Sequence, residues 1–302
     1  MSKKRKALLV FAVLGVAAIP AYFWLFTESH VPEDGSFSID LAKVRAAAGT
    51  EPGPKEIRFE QIAHMEAPST GIVAGTGWSM ASLTFYAYLL KYDDGKTVMV
   101  DTGMDQKTTE ATSAKDFDAA AFGRLQAAMA SASVIVVTHE HYDHIGGLVT
   151  APNVKDLMAA AKITKAQLSN PKKMDPLTFP ADALKGYAML DYEGIHAVAP
   201  GVVLIKAPGH TPGSQIVYVK RADGAEYLFL GDVAWHQRAV DEVRTRARAV
   251  TLLMGEDREG VLRQLKELNR IQTSEKNVHV VPGHDRPRMD ALVAEGLLTK
   301  GF

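Results

Sequence analysis

The sequence predicts a mixed α/β domain in which strands and helices alternate. Apolar runs rich in β-branched residues, such as residues 133–137 and 202–205, are typical of buried strands. Helical periodicity lies between such runs, as in residues 118–129 and 258–271. The chain has 302 residues, of which 47% are hydrophobic, so it is long and apolar enough for a large core.

The N-terminus combines a basic cluster with an apolar stretch. Residues 3–6 are Lys-Lys-Arg-Lys, and residues 7–26 contain no charge, which is enough to cross a hydrocarbon core of about 30 Å. Positive charge before such a span keeps the N-terminus cytoplasmic. We therefore expect residues 1–27 to form a transmembrane anchor, with the rest of the chain exported to the periplasmic or extracellular side. A cleaved signal peptide, which would give a secreted protein, is the alternative.

Residues 28–56 are expected to be a tether that contains one short helix. Ser38 can cap a helix over residues 39–46, and Gly49 can end it. The run Pro52-Gly53-Pro54 then breaks the chain before the main domain, which we place at residues 57–302.

The main domain opens with a predicted hairpin. Residues 85–92 and 96–100 read as strands around the turn Asp93-Asp94-Gly95. The glycine-rich loop at residues 71–77, with Trp78 after it, is either a lip over a pocket or an ordinary loop packed on aromatic residues. Further along the chain, residues 154–187 are expected to be mostly helical.

One stretch carries the chemistry of the chain. The predicted strand at residues 133–137 is followed by His139, His141, Asp143 and His144. Imidazole and carboxylate groups bind zinc and similar divalent cations. His139 and His141 lie two residues apart, so their rings point to the same side of an extended backbone. Since the chain has only ten histidines, three within six residues predict a metal site.

Composition excludes several other kinds of function. The formal net charge is −1, so no basic field favours nucleic acid as a partner. The chain contains no cysteine, which removes disulfides, thiolate ligands and thiolate catalysis.

The motif His139-x-His141-x-Asp143-His144 resembles the signature of the metallo-β-lactamase superfamily of hydrolases. The resemblance requires a further His, an Asp and a last His, each at the end of a later strand. His210, Asp232 and His284 arrive in that order, each after an apolar run and a glycine. It implies a four-layer αββα sandwich, in which helices cover two mixed β-sheets.

The resemblance also implies a role for each of these residues and two zinc ions as cofactors, although iron or manganese suits the same donors. The first metal would be bound by His139, His141 and His210. The second would be bound by Asp143, His144 and His284, and Asp232 would bridge the two. Asp101, at the end of the predicted hairpin, would support the site from beneath.

Two divalent ions that share a hydroxide make a nucleophile at neutral pH, so the implied reaction is hydrolysis. Asp143 would orient the nucleophile or carry its proton, and Tyr142, Trp78 and Trp235 are candidates for the wall of a pocket for a small-molecule substrate.

Asp232 argues against a typical β-lactamase, which carries Cys or Ser at this position, and favours a small lactone or ester. Many lactonases of acyl homoserine lactones have a Tyr shortly after the bridging Asp, where this chain has Val233-Ala234-Trp235. Hydrolysis of a β-lactam or thioester, or metal binding without turnover, are the alternatives.

Overall fold

Two five-stranded sheets organise the computed structural model, which describes residues 18–302. The strands of the first sheet are β1 (Glu56–Pro68), β2 (Met80–Lys91), β3 (Thr97–Val100), β4 (Val134–Val136) and β10 (Thr299–Lys300). Their spatial order is β10-β1-β2-β3-β4, and the two outer pairs are parallel whereas the two inner pairs are antiparallel. The predicted hairpin is therefore confirmed as β2 and β3.

The second sheet is also mixed. Its strands are β5 (Ile195–Ala199), β6 (Val202–Lys206), β7 (Gln215–Lys220), β8 (Glu226–Phe229) and β9 (Val278–Val281), paired in chain order. Because β7 is antiparallel to both β6 and β8, and β9 is parallel to β8, three of these strands run in one direction. The carboxyl ends of β6, β8 and β9 therefore meet at one edge of the sheet.

Helices occupy the segments between the strands. They are α1 (residues 18–26), α2 (Leu41–Ala47), α3 (Ser69–Ile72), α4 (Gln106–Ala111), α5 (Ala119–Ser131), α6 (Tyr142–Val149), α7 (Val154–Leu157), α8 (Lys165–Ser169), α9 (Gln237–Asp241), α10 (Arg248–Met254), α11 (Arg258–Ser274) and α12 (Arg286–Ala294). Short 3₁₀ turns cover Pro171–Met174 and Gly231–Val233.

Side chains that alternate along the strands build a layered core. On β6, Val202 and Leu204 pack between the two sheets, whereas Val203 and Ile205 pack against the outer helices α2 and α11. On the first sheet, Leu89 of β2 points outward and packs with α5. Because neighbouring strand residues face opposite sides, each sheet contributes to two layers. The order helices, sheet, sheet, helices follows from this pattern.

The predicted tether is packed onto the domain and is not a free linker over its whole length. The helix starts at Leu41 rather than Ile39, because the Asp40 carboxylate, not Ser38, caps it by accepting the Lys43 N–H at 3.1 Å. Leu41 and Val44 are buried in the core around α11. The short helix is confirmed, and its apolar face explains why the segment is held.

The prediction that residues 154–187 are mostly helical is wrong, because helices cover less than half of this stretch. It contains α7, α8 and one 3₁₀ turn, with irregular chain from residue 175 onward. The capping box of Thr164 and Gln167 starts α8, and Pro171, Pro176 and Pro180 prevent a long helix.

Only part of the predicted membrane span lies in the described chain. Residues 18–26 are helical, and residues 1–17 lie outside the described residues. From residue 18 to residue 302, no helix has both the length and the apolar composition that a membrane crossing requires.

Candidate metal centre

The carboxyl ends of four strands carry the seven predicted ligands. These are His139, His141, Asp143 and His144 after β4, His210 after β6, Asp232 after β8 and His284 after β9. All except His141 are buried, and they form two adjacent groups of potential metal ligands. The structure thus brings all seven predicted residues to one place.

Two glycines let the backbone come close to this place. A Cβ atom at Gly147, in α6, would lie 2.0 Å from the carbonyl oxygen of Thr102. A Cβ atom at Gly283 would lie 2.8 Å from Asp232 Oδ1. Side chains at these positions would displace α6 or the carboxylate, so glycine is required for the geometry.

The first group consists of His139, His141, His210 and Asp232. His141 Nδ1 lies 3.0 Å from both His139 Nε2 and His210 Nε2. Asp232 Oδ2 lies 3.1 Å from His210 Nε2 and 3.6 Å from His139 Nε2. Ligands at the usual Zn–N distance in a tetrahedral site are about 3.3 Å apart. The four donor atoms therefore have the spacing of a tetrahedral zinc site.

The second group consists of Asp143, His144 and His284, and the other oxygen of Asp232 faces it. Asp143 Oδ2 lies 3.4 Å from His144 Nε2 and 3.6 Å from His284 Nε2. Asp232 Oδ1 lies 2.8 Å from His284 Nε2 and 3.2 Å from His144 Nε2. The Asp232 carboxylate is therefore shared, with one oxygen on each group.

Two unpartnered atoms show that the second group fits a cation. His144 Nε2 and Asp232 Oδ1 are buried and have no hydrogen-bond partner in the described part of the chain. Leaving such atoms unsatisfied is costly, and a divalent cation bound by both would remove the cost. Imidazole nitrogens with carboxylate oxygens are donors that zinc, iron and manganese accept.

Asp101 holds His144 from behind, as predicted for a supporting residue. Its Oδ2 lies 2.9 Å from His144 Nδ1, and its Oδ1 accepts the backbone N–H of Thr138 at 2.6 Å. Asp101 has a φ of 59°, an uncommon conformation for a residue with a side chain. This contact turns Nε2 of His144 toward Asp143, the other oxygen of Asp232 and the rest of the second group.

Two other histidines are oriented by partners that the sequence did not reveal. His284 Nδ1 donates to the carbonyl of Thr84 at 3.0 Å. His210 Nδ1 donates to Glu256 Oε2 at 2.7 Å, and the same oxygen accepts Nη1 of the buried Arg246 at 2.6 Å. Glu256 follows α10 in a stretch without a recognisable motif, so only the folded chain relates it to His210.

The protonation states of His139 and His141 suit a metal. Burial lowers the pKa of His139 well below the ordinary imidazole value, and burial together with His210 lowers the pKa of His141 to about 3. Both rings are therefore neutral at pH 7, the form that binds cations. Burial opposes a negative charge on Asp232, but His284 and the other histidines outweigh it and hold its pKa well below the ordinary value.

Trp235 and Arg246 form the wall behind Asp232. The Trp235 indole Nε1 donates to Asp232 Oδ2 at 2.7 Å, and the Arg246 guanidinium lies 4.1 Å from the Trp235 ring centroid. Arg246 Nη2 also donates to the backbone carbonyl of Asp232. The shared carboxylate is thus held at both its side chain and its backbone.

Glu140, between the first two histidines, connects two ligand loops. Its carboxylate accepts the Thr211 hydroxyl at 2.8 Å and the Gly213 N–H at 3.3 Å. Burial raises the pKa of Glu140. No role was predicted for Glu140, although its position between His139 and His141 in the motif could have indicated one.

A cavity of about 320 Å³ opens onto the second group. Its wall is largely apolar, with Met65, Leu83, Phe85, Trp235 and Met254. Tyr142, Lys172, Lys173 and Asp175 supply polar groups. Asp143, Asp232 and His284 reach this cavity, so a small molecule in it would touch the candidate metal centre.

Two of the three predicted pocket residues line this cavity, namely Tyr142 and Trp235. Trp78 does not line it. The Trp78 indole donates to the Tyr22 hydroxyl at 2.9 Å and packs 5.1 Å from the Phe26 ring. These contacts with α1 hold Trp78 away from the cavity.

Comparison with known proteins identifies relatives of the whole domain. A family model described as the metallo-beta-lactamase superfamily matches residues 86–284. An N-acyl homoserine lactonase of Bacillus cereus is 26% identical over 232 residues, which cover 70% of this chain and 84% of that enzyme. Other Bacillus N-acyl homoserine lactonases align over only 55% of their own length.

Solved structures agree on the fold. A quorum-quenching N-acyl homoserine lactone lactonase has a TM-score of 0.63 at 21% identity, covering 80% of this chain and 97% of that one. An N-acyl homoserine lactone hydrolase, solved with the product N-hexanoyl-L-homoserine at its catalytic metal centre, has a TM-score of 0.61 at 20% identity, covering 79% and 96%. Because the family model spans more than half of the 302 residues, the chain belongs to the metallo-beta-lactamase superfamily and is a hydrolase of that family.

Proposed function

We propose that the chain is a dinuclear zinc hydrolase that opens a small lactone or ester. The observation that carries the proposal is Asp232, whose two oxygens face different ligand groups at 3.1 Å and 2.8 Å. When bound, two divalent cations held in this way lower the pKa of a water and polarise a substrate carbonyl. The protein supplies the spacing between them and the groups that move the proton.

Asp143 is the proposed proton carrier. Its carboxylate lies beside His144 and His284 and reaches the cavity. Burial opposes its ionisation, but the charges of those two histidines lower its pKa below the ordinary value. Asp143 is therefore ionised at neutral pH, so it can accept a proton from the attacking water and return it to the leaving alkoxide.

The cavity wall and the relatives support the substrate class. The apolar side chains of Met65, Leu83, Phe85 and Met254 suit the hydrocarbon part of an acylated substrate. The chain is also similar to N-acyl homoserine lactonases. The bridging residue is Asp232, as in lactonases, rather than the Cys or Ser typical of β-lactamases. We therefore favour a lactone or ester over a β-lactam.

Trp235 is the reason why we propose a class of substrates rather than one particular lactone. It stands where many acyl homoserine lactonases have a Tyr. Its indole N–H is already used by Asp232 Oδ2 at 2.7 Å, so it offers no free donor to a substrate carbonyl. The hydroxyl of Tyr142 also lines the cavity and can interact with a substrate. We therefore expect the substrate to lie in a different position from the substrates of the acyl homoserine lactonases.

The direct test measures metal content and turnover on one preparation. We expect about two zinc ions per full-length chain, and turnover of a lactone or aryl ester that a chelator abolishes and zinc restores. Thioesters and β-lactams complete the panel, because turnover of those alone would replace our substrate class. Binding of two metals without turnover of any panel member would favour a metal-binding protein. A chain that binds no metal would refute the dinuclear site.

Two variants sharpen this test. Asp143→Asn removes the proposed proton carrier and should lower kcat by about 10²–10⁴-fold. His196→Asn is the control, because His196 lies on β5 and belongs to neither ligand group. Equal turnover by both variants would exclude Asp143 from the chemistry.

We also propose that residues 7–26 anchor the chain in a membrane, with the metal centre on the exported side. Support comes from the uncharged stretch itself and from its described end, where Ile19, Phe23 and Trp24 are largely exposed. Recovery of the chain in carbonate-washed membranes, and its digestion by protease added from the exported side, would support the proposal. Recovery in the soluble fraction at its full mass would contradict it.

A further inference from the structure

We propose that residues 26–29, called here the docking segment, are a positioning element of the metal centre. The segment begins at the last residue of the apolar stretch at the N-terminus. It lies far from the ligands in sequence, yet a short series of partly buried and buried contacts connects it to His210 and Asp232. The inference rests on the metal centre of the proposed function and adds a structural role for the part of the chain that precedes the main domain.

The docking segment first contacts the loop after β1. The carbonyl of Phe26 accepts the Thr70 hydroxyl at 2.8 Å and the Gly75 N–H at 2.9 Å. Phe26 also packs against Trp78 on the same loop. The glycine-rich loop at residues 71–77 therefore has the docking segment as its partner.

The docking segment next holds the loop at residues 244–248. Arg244 Nη2 donates to the carbonyl of Thr27 at 2.5 Å, and the Thr245 N–H donates to Ser29 Oγ at 3.1 Å. On its other side, the Ala247 N–H donates to the carbonyl of Thr70. Both ends of the loop at residues 244–248 are thus fixed, and Arg246 lies between them.

Arg258 connects the docking segment to Arg246. It is 6% exposed, and its guanidinium donates from Nη2 to the carbonyl of Glu28 and from Nη1 to the carbonyl of Arg246. The Glu28 carboxylate pairs with Arg248 and lies 3.9 Å from Arg258. One guanidinium therefore bonds to both segments at once.

Arg246 completes the connection to the metal ligands. Its guanidinium donates to Glu256, which holds His210, and to the backbone carbonyl of Asp232. Arg246 therefore connects the loop to Asp232 directly and to His210 through Glu256. Since carboxylate partners of a ligating histidine affect metal affinity, displacement of Arg246 should weaken the first group.

Charge makes Glu28 the critical residue of the docking segment. Four arginines, at positions 244, 246, 248 and 258, lie close together, and in the described chain Glu28 and Glu256 are the carboxylates paired with them. Removing Glu28 leaves Arg248 without its ion pair beside the buried Arg258. Repulsion between like charges in a partly buried place would then push the loop at residues 244–248 away from its position.

The test compares two double variants of the full-length chain. Glu28→Ala with Ser29→Ala removes the side-chain contacts that the docking segment makes with Arg248 and Thr245. Glu33→Ala with Ser36→Ala makes the same two changes at exposed residues a few positions later, whose side chains form no hydrogen bond with residues 18–302. Zinc affinity is measured by competition with a chelator, and hydrogen exchange is measured at residues 244–247.

We expect the first double variant to bind zinc about tenfold more weakly and to exchange its Thr245 amide faster, with the control unchanged. Equal zinc affinity in the two double variants would overturn the inference, as would an equal loss in both. Failure of the proposed function is distinguishable, because it would appear as absent zinc or absent turnover in the unmodified chain.

Discussion

Replacing Glu256 by Gln tests whether a residue outside the ligand set controls the first metal group. The Glu256 side chain is fully buried, and its Oε2 accepts hydrogen bonds from His210 at 2.7 Å and Arg246 at 2.6 Å. Gln keeps the size and one acceptor oxygen but removes the charge, so the His210 bond loses its charged acceptor and Arg246 loses its ion pair. Because such partners are worth about 10–100-fold in metal affinity, we expect at least a tenfold loss, or about 1.4 kcal/mol.

The assay is zinc competition with a chelator, followed by steady-state turnover of the best lactone or ester. Glu259→Gln is the matched control, because it makes the same change on a side chain of α11 that is 64% exposed. Glu256→Gln also has a second effect, because Arg246 loses its buried carboxylate partner and the free energy of unfolding should fall by up to about 3–5 kcal/mol. Unfolding of the metal-free protein by denaturant measures this loss separately from zinc binding. Equal zinc affinity in Glu256→Gln and Glu259→Gln would refute the reasoning.

Three further changes address other parts of the molecule. Trp235→Phe keeps a ring beside Arg246 but removes the 2.7 Å hydrogen bond to Asp232 Oδ2, so kcat/KM should fall about tenfold; unchanged kinetics would contradict this. Gly283→Ala places a Cβ atom 2.8 Å from Asp232 Oδ1, so metal analysis should find less than two zinc ions per chain, and full occupancy would count against the steric argument. Leu125→Ala empties a fully buried site between α5 and the first sheet, so the free energy of unfolding should fall by about 2–5 kcal/mol. Zinc affinity should stay the same in that variant, since a change would mean that core packing controls the centre.

The strand ends that carry the metal ligands were predictable from a simple local pattern. An apolar strand ends, a glycine or a β-branched residue follows, and the first ligand comes next, as with His139, His210, Asp232 and His284. The resemblance to the metallo-β-lactamase superfamily, and not this pattern, predicted that the ligands share one site. Helix α11 was predictable from an apolar face that repeats every three to four residues.

Contacts between distant parts of the chain were not predictable in this way. Glu256 and Arg246 have no spacing that relates them to His210, and they meet it only because the segments at the two ends of α10 fold against the loop after β6. The position of Trp78 was not predictable, because its partners Tyr22 and Phe26 lie far earlier in the chain. The cap of α2 was misplaced by two residues because Ser38 and Asp40 both suit the position, and only packing decides between them.

The origin of the ligands in both sheets has a consequence for folding. His139, His141, Asp143 and His144 come from the first sheet, whereas His210, Asp232 and His284 come from the second. A cation bound by residues of both sets is a cross-link between the two sheets, which share no strand pairing. Free zinc at a thousand times its dissociation constant would therefore add about 4.1 kcal/mol to the free energy of unfolding. We therefore expect the melting temperature to rise with the free zinc concentration, and the zinc-free chain to be cleaved faster by added protease.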